Sequence, residues 1–262
     1  MVVLQVIGGG RMGEALVGGL LKAGGRRLDG IRVVEPDATR ADMLRAAFPG
    51  VDVVAEPAAA EDSVIAVKPA DVPAVCRALA TSGPSRVLSI AAGVTLAALE
   101  ADLAPGSRVV RAMPNTPALV GAGAAAIAPG TAATDDDLAW AEELLGAVGT
   151  VVRVKEPLLD AVTGLSGSGP AYVFLVAEAL IEAGVLAGLP RDVSQTLSIQ
   201  TLLGAATLLA DGPDGPEALR AAVTSPGGTT AAGLQVLEQR GLRAAFLDAV
   251  AAATERSREL GR

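Results

Sequence analysis

The chain has 262 residues, enough for one large domain or two smaller ones. Hydrophobic residues make up 51% and aromatic residues 2%, so a core must be built from Ala, Val and Leu, and the net charge of −8 argues against nucleic acid, whose phosphates need clustered Lys and Arg. There is no histidine, which excludes Ser-His-Asp hydrolysis, His-ligated zinc and a histidine acid/base.

The first stretch organises the rest. Val2, Val3, Leu4, Val6 and Ile7 read as a strand buried on both faces, and Gly8, Gly10 and Gly13 follow in G-x-G-x-x-G spacing before a helical pattern at Glu14, Ala15, Leu16 and Leu20. Gly8 allows a sharp turn, Gly10 lets the backbone approach a pyrophosphate, and Gly13 lets the helix pack against the strand. Free N–H groups at the helix start suit phosphates. A tight glycine turn in another α/β domain is the plainer alternative. Ile31 to Glu35 reads as a second strand, and Glu35 ends it about where a Rossmann fold places an acid on the adenosine ribose. Such an acid accepts from the 2′-hydroxyl of NAD and repels the 2′-phosphate of NADP; a solvated strand end is the other reading, and Arg40 stands close enough to complicate the choice.

Ala38 to Ala47 reads as a helix and Val51 to Val54 as a short strand. Val64 to Val67 is a further strand with Lys68-Pro69 at its carboxyl end, where open α/β sheets bind ligands. Cys76, the one cysteine, cannot form an internal disulfide and reads as a small buried hydrophobe on a helix face. Arg86 to Ile90 repeats the arrangement and ends in Ala91-Ala92-Gly93, small enough for a flat ring to come close. Arg108 to Ala112 leads into Met113-Pro114-Asn115-Thr116-Pro117, a stiff loop whose Asn115 offers an amide to a carboxamide or ribose, though a plain turn explains it as well. Ala124 to Ala128, a helix around Leu138 to Leu145, and Val151 to Val154 complete an alternating α/β half.

From about residue 155 the pattern holds long helices and no strand. Ala171 to Ala187 is apolar except for Glu178 and Glu182; two carboxylates argue against a membrane span, so burial against a second subunit is expected. Val193 to Leu209 and Glu217 to Val223 are helices, and Gly233 to Glu259 holds one or two more, with Gly241 as the break. Thr224-Ser225-Pro226-Gly227-Gly228-Thr229-Thr230 sets hydroxyls around two glycines before a helix at Ala231, a site for a small anion or an ordinary capped loop. Gly164 to Pro170 is a comparable loop, with Pro170 suited to a first helical turn. No cluster has metal-ligand spacing, and no basic segment with a cleavage site precedes the first strand, so the expected compartment is the cytoplasm.

Taken together these segments resemble the pyrroline-5-carboxylate reductase family of proline biosynthesis. The resemblance rests on Ala66-Val67-Lys68-Pro69, Met113 to Pro117, Thr163 to Tyr172 and Thr224 to Thr230, in that order, with Pro216, Leu219 and Val223 upstream of the last and Leu234, Leu237 and Glu238 downstream. It implies an α/β Rossmann domain over residues 1–155 followed by an all-α dimerisation domain over 156–262, assembling as a homodimer and often as a decamer of five dimers. It implies hydride transfer from NADPH or NADH to the C=N carbon of 1-pyrroline-5-carboxylate, giving L-proline. By the same resemblance Gly8, Gly10, Arg11, Met12, Gly13, Val67, Lys68, Pro69, Ala91, Ala92 and Gly93 line the cofactor. Ser225, Gly228, Thr229 and Thr230 hold the substrate carboxylate, and Thr163 lies near the imine nitrogen. The missing histidine fits, because a cyclic imine can take its proton from solvent. One departure concerns cofactor choice: where many members carry an Asn after the third strand, this chain reads Ala55-Glu56-Pro57, placing a second acid beside Glu35. A β-hydroxyacid dehydrogenase-type reductase shares this layout but needs a lysine that Gly164 to Ala210 lacks; a cofactor-binding regulator without turnover is the non-enzymatic alternative.

Overall fold

The computed structural model describes residues 4–23, 30–58 and 60–261; the expected strand start at Val2 and Val3 lies outside them. Short apolar runs, rich in Val, Ile and Leu except for the alanine-rich β7, form β1 (Leu4–Ile7), β2 (Ile31–Val34), β3 (Asp52–Val54), β4 (Asp62–Ile65), β5 (Arg86–Ser89), β6 (Arg108–Met113), β7 (Gly123–Pro129) and β8 (Gly149–Arg153). They make one sheet in the order β3-β2-β1-β4-β5-β6-β7-β8. β1 to β6 are parallel, whereas β7 runs antiparallel to β6, and β8 is parallel to β7. The alternating sequence pattern does not announce that reversal. Its cause is the connection: residues 114–122 hold only a short 3-10 turn, Thr116–Val120, too little for the crossover that parallel strands need. Between β7 and β8 the helix α5 (Asp135–Gly146) supplies one.

Helices cover both faces. α1 (Arg11–Lys22), α2 (Ala38–Ala47) and α5 bury Leu16, Val17, Leu44 and Leu144 on one side; α3 (Val72–Ala80), α4 (Leu96–Asp102) and α6 (Leu159–Val162) bury Cys76, Leu99 and Leu159 on the other. Adjacent residues of β1 divide accordingly, Val6 to the first core and Ile7 to the second. Among the described residues, the link from β3 to β4 has no helix. Gln5, fully buried, secures it instead: Nε2 donates to Ala58 O at 2.9 Å and to Ser63 Oγ at 3.1 Å, while Oε1 accepts from Ala58 N at 3.3 Å.

After β8 the described residues form helices joined by loops. The chain divides into two compact units, residues up to Ser168 together with those from Ala251 onward, and Gly169–Val250. Residues 156–168 stay with the first unit for a physical reason. Glu156 Oε1 accepts from Leu96 N at 2.6 Å and from Arg111 Nη1 at 2.8 Å, Leu159 is buried under the sheet, and Ser257 Oγ donates to Asp160 Oδ1 at 2.7 Å. These contacts bind residues 156–168 to the first unit.

The second unit contains α7 (Gly169–Leu186), α8 (Arg191–Asp211), α9 (Pro216–Ala222), α10 (Thr229–Gln239) and the start of α11 (Leu242–Leu260). Ser194 Oγ donates to Ile181 O at 2.7 Å, and a side chain at Gly184 would strike that hydroxyl, so the glycine lets α7 and α8 meet closely. α7 has no buried residue in the single chain, and Phe174 and Leu175 are 62% and 65% exposed. The stretches Glu156–Leu186 and Arg191–Asp211, with mean hydropathy 1.5 and 1.2, have the length and composition of membrane-crossing helices.

Candidate active site

Register places the carboxyl ends of the central strands level with one another: Ile7 pairs with Val34 and Ile65, and Ile65 with Ser89. Gly8, Glu35, Ala66 and Ile90 therefore leave the sheet together, on either side of the β1/β4 boundary where the strand order reverses, the position at which open α/β sheets bind ligands. A cleft of about 540 Å³ opens there, lined by Gly8, Gly10, Glu35, Ala55, Val67 and Lys68. Its size is that of a cofactor pocket.

Each glycine has a distinct task. Gly8 has φ +108°, and a Cβ there would lie 2.6 Å from Ala66 O. A Cβ on Gly13 would overlap the Gly8 carbonyl, so the third glycine lets α1 begin directly against the turn. Gly10, the N-cap of α1, has nothing within 4 Å of its Cβ position, which leaves the backbone open to a ligand. The first helical bond runs from Glu14 N to Gly10 O, and the N–H groups before it are those a helix start offers to an anion. This cradle fits a pyrophosphate. Sequence spacing overlooks Gly9, yet a Cβ there would overlap Leu44 of α2; the signal for it is the unbroken run Gly8-Gly9-Gly10.

Gly9 is also fixed through its backbone. Its N–H donates to Glu35 Oε2 at 3.0 Å, and its carbonyl accepts from Arg40 Nε at 2.7 Å. Glu35 Oε1 accepts from Asp37 N at 3.0 Å, so Glu35 is a built part of the turn, with lone pairs left on both oxygens for a further donor. The Arg40 Nη2 group is paired to Glu14 Oε2.

The remaining expected residues divide. Val67 and Lys68 line the cleft; Pro69 begins the 3-10 turn Pro69–Asp71, whose Asp71 lines the cleft as well. Arg11 is exposed in the first turn of α1, and Met12 packs partly buried on the core. Ala91 is buried, Ala92 is exposed, and Gly93 has φ +76° with its Cβ position 3.6 Å from Leu260 O, so that glycine adjoins the end of α11. Asn115 is turned inward: Oδ1 accepts from Ala124 N at 2.8 Å and Nδ2 donates to Ser166 O at 3.0 Å. Its amide joins two loops, the task beyond a plain turn that the geometry gives it.

The second of those loops is a π-helical turn, Thr163–Gly167, closed by Ser168 N donating to Thr163 O at 2.8 Å. Such turns recur at functional sites. Thr163 is half-buried and its Oγ1 donates to Leu159 O at 2.8 Å, leaving the oxygen lone pairs to face a donor. A Cβ on Gly167 would stand 2.6 Å from Met113 Cε, so two motifs far apart in sequence pack as one structure.

In the second unit, α10 begins at Thr229, two residues before the expected Ala231. Thr229 and Thr230 thus occupy its first turn, where the earliest backbone bond is Ala232 N to Gly228 O. Gly227 has φ +70°; Gly228 N donates to Ser225 O at 3.0 Å, and a Cβ on Gly228 would overlap Ser225 Oγ. The loop therefore gathers the exposed hydroxyls of Ser225, Thr229 and Thr230 around a helix start with unpaired N–H groups.

Residues 156–260 match the family described as pyrroline-5-carboxylate reductase dimerisation, and residues 3–93 match the NADP oxidoreductase, coenzyme F420-dependent family. The pyrroline-5-carboxylate reductase of Synechocystis is 46% identical, the alignment covering 100% of this chain and 99% of that protein. A solved pyrroline-5-carboxylate reductase from Coxiella burnetii superimposes with TM-score 0.94 at 38% identity, covering 100% and 99% of the two chains. The Plasmodium falciparum pyrroline carboxylate reductase, solved with NADP bound, gives TM-score 0.84 at 29% identity, covering 100% and 98%. The chain belongs to the pyrroline-5-carboxylate reductase family.

Proposed function

We propose that the chain reduces 1-pyrroline-5-carboxylate to L-proline at the expense of NADPH or NADH, the last step of proline biosynthesis. The observation that carries this reading is the glycine turn at the reversal of strand order, in a chain related over its whole length to reductases of that name. The NADP held by the Plasmodium relative supports a nicotinamide dinucleotide here. When bound, that group supplies the hydride.

The protein's own contribution is binding and orientation. Gly8, Gly10, Arg11, Met12 and Gly13 take the pyrophosphate at the start of α1, with Glu35 at the ribose and Val67, Lys68 and Pro69 along the cleft. Ala91, Ala92 and Gly93 continue that edge. Asn115 serves by holding the Thr163 turn through Ser166. Thr163, its hydrogen given to Leu159 O, accepts from the N–H of an imine already protonated by solvent. Ser225, Gly228, Thr229 and Thr230 hold the substrate carboxylate.

The exposed apolar side chains of α7 and α8 are covered by a second copy of the chain, a homodimer that can build a decamer. A dimer interface explains those helices without a membrane, and the compartment is the cytoplasm. Purified protein should oxidise NADH or NADPH only when 1-pyrroline-5-carboxylate is supplied, releasing proline. Absence of turnover with both dinucleotides overturns the reading.

A further inference from the structure

We infer that Glu14 sets the dinucleotide choice of this chain, by holding Arg40 where it cannot receive a 2′-phosphate. The inference rests on the reading that the cleft at Gly8 to Gly13 binds a nicotinamide dinucleotide, and goes beyond it by naming which one.

β2 delivers Glu35 to the cleft, and α2 brings Arg40 against the same turn. Lys68 lines the cleft from the β4 side of β1, away from Glu35, and Arg45 is engaged by Asp42 Oδ1 and Val53 O. Among the described residues, Arg40 is a guanidinium held on the same turn as Glu35, beside the place where a phosphate on the adenosine ribose would lie. It is already occupied. Nε donates to the Gly9 carbonyl at 2.7 Å, and Nη2 is paired with Glu14 Oε2 across the turn. Glu14, Glu35 and Arg40 together carry one net negative charge around Gly9.

A free 2′-hydroxyl needs only an acceptor, which Glu35 still offers. A 2′-phosphate brings close to two further negative charges to a net negative surface and must take Arg40 from a carboxylate that already neutralises it. Glu14 touches no part of the ribose on this account. It is a positioning residue acting through Arg40, and NADH is the preferred partner.

Titration calorimetry with NAD+ and NADP+ on the full-length protein tests this without recourse to turnover. The wild type should bind NAD+ more tightly. Glu14→Gln keeps the shape, removes the charge and frees Arg40, and should raise the affinity for NADP+ relative to NAD+ on the order of tenfold. Combining it with Arg40→Gln should abolish the gain, and added salt should shrink it. A wild type that prefers NADP+, a ratio unmoved by Glu14→Gln, or equal weakening of both ligands overturns the inference, the last by showing that Glu14 only braces the turn. A wild type that binds neither dinucleotide overturns the underlying reading of the cleft instead.

Discussion

The backbone N–H of Gly9 donates to Glu35 Oε2 at 3.0 Å, so the end of the second strand and the turn after the first are one unit. Arg40 closes the other side by donating to the Gly9 carbonyl. A residue with no side chain is thereby held at both backbone groups, and its neighbours Gly8 and Gly10 inherit a fixed geometry. Such a turn is ordered before a dinucleotide arrives, which reduces the entropy lost on binding.

Glu35→Ser should therefore have two effects. Losing the acceptor for Gly9 N–H loosens the turn and weakens both dinucleotides, by roughly 1.5–3 kcal/mol for a hydrogen bond to a charged group. Losing the carboxylate also removes a repulsion, so the NADPH to NADH ratio of kcat/KM should rise. Steady-state kinetics with both cofactors separates the effects. An unchanged ratio would confine Glu35 to bracing the turn.

Much of this was legible in the sequence, for reasons that can be stated residue by residue. Gly8, Gly10 and Gly13 each meet a local steric demand that spacing reveals, and the apolar runs of β1 to β6 report burial directly. Partners distant in sequence do not show themselves this way. Gly9 needs its small size because of Leu44, and Asn115 faces Ser166, neither of which periodicity can disclose. Strand direction is equally silent, since β7 would show the same pattern either way up. The ends of elements were misjudged where the chain turns functional: β4 stops at Ile65, two residues before the expected Val67, which bends into the cleft.

Asn115→Asp tests the bridge between the two central loops. The acceptor for Ala124 N survives, but the donor to Ser166 O becomes a second acceptor, facing that carbonyl with a charge in a largely buried position. A penalty of about 1–3 kcal/mol is expected. The melting temperature should fall, and kcat should fall with it as the Thr163 turn shifts. A variant with wild-type melting temperature and kcat would show that the bridge is dispensable.

Cys76 is fully buried on the inner face of α3, and burial first, then the charge of Asp102, push its thiol up to about 11 from an ordinary value of 9.0. The native thiol should be inert to Ellman's reagent at pH 8 and react once urea unfolds the chain. The linkage has a definite sign. The folded form keeps its proton to higher pH than the unfolded form does, so this contribution is complete below pH 9 and is lost as pH rises toward about 11. Urea midpoints of wild type and Cys76→Ala should converge or cross over that window. A constant gap between them would exclude the thiol as the titrating group.

Phe174 and Leu175 are exposed on α7, a helix without a buried residue in the single chain even where α8 packs against it. Phe174→Asp should leave the sheet-containing unit folded while preventing self-association. Sedimentation velocity should show the loss of the dimer, and circular dichroism should retain the strand signal. A wild type that remains a well-folded monomer in dilute solution, with these side chains in water, would remove the second copy from the account.

The anion loop decides whether the reading extends to the substrate. Thr230 stands in the first turn of α10, behind Gly227 and Gly228, with its hydroxyl at the same helix start as the N–H groups that precede the first helical bond. Thr230→Val preserves the shape and removes one donor. A hydrogen bond to a charged group is worth roughly 1.5–3 kcal/mol, so kcat/KM for 1-pyrroline-5-carboxylate should fall by about one to two orders of magnitude. The carboxylate does not change charge during reduction of the imine, so the contact is as strong before the transition state as in it. Most of the loss should therefore appear in KM, with kcat little altered. Dinucleotide affinity should hold, because the pyrophosphate cradle is built from Gly8 to Gly13 in the other unit. Unchanged KM for the imine would take Thr230 out of the site, and a parallel loss of NADH affinity would mean that the loop serves the cofactor instead.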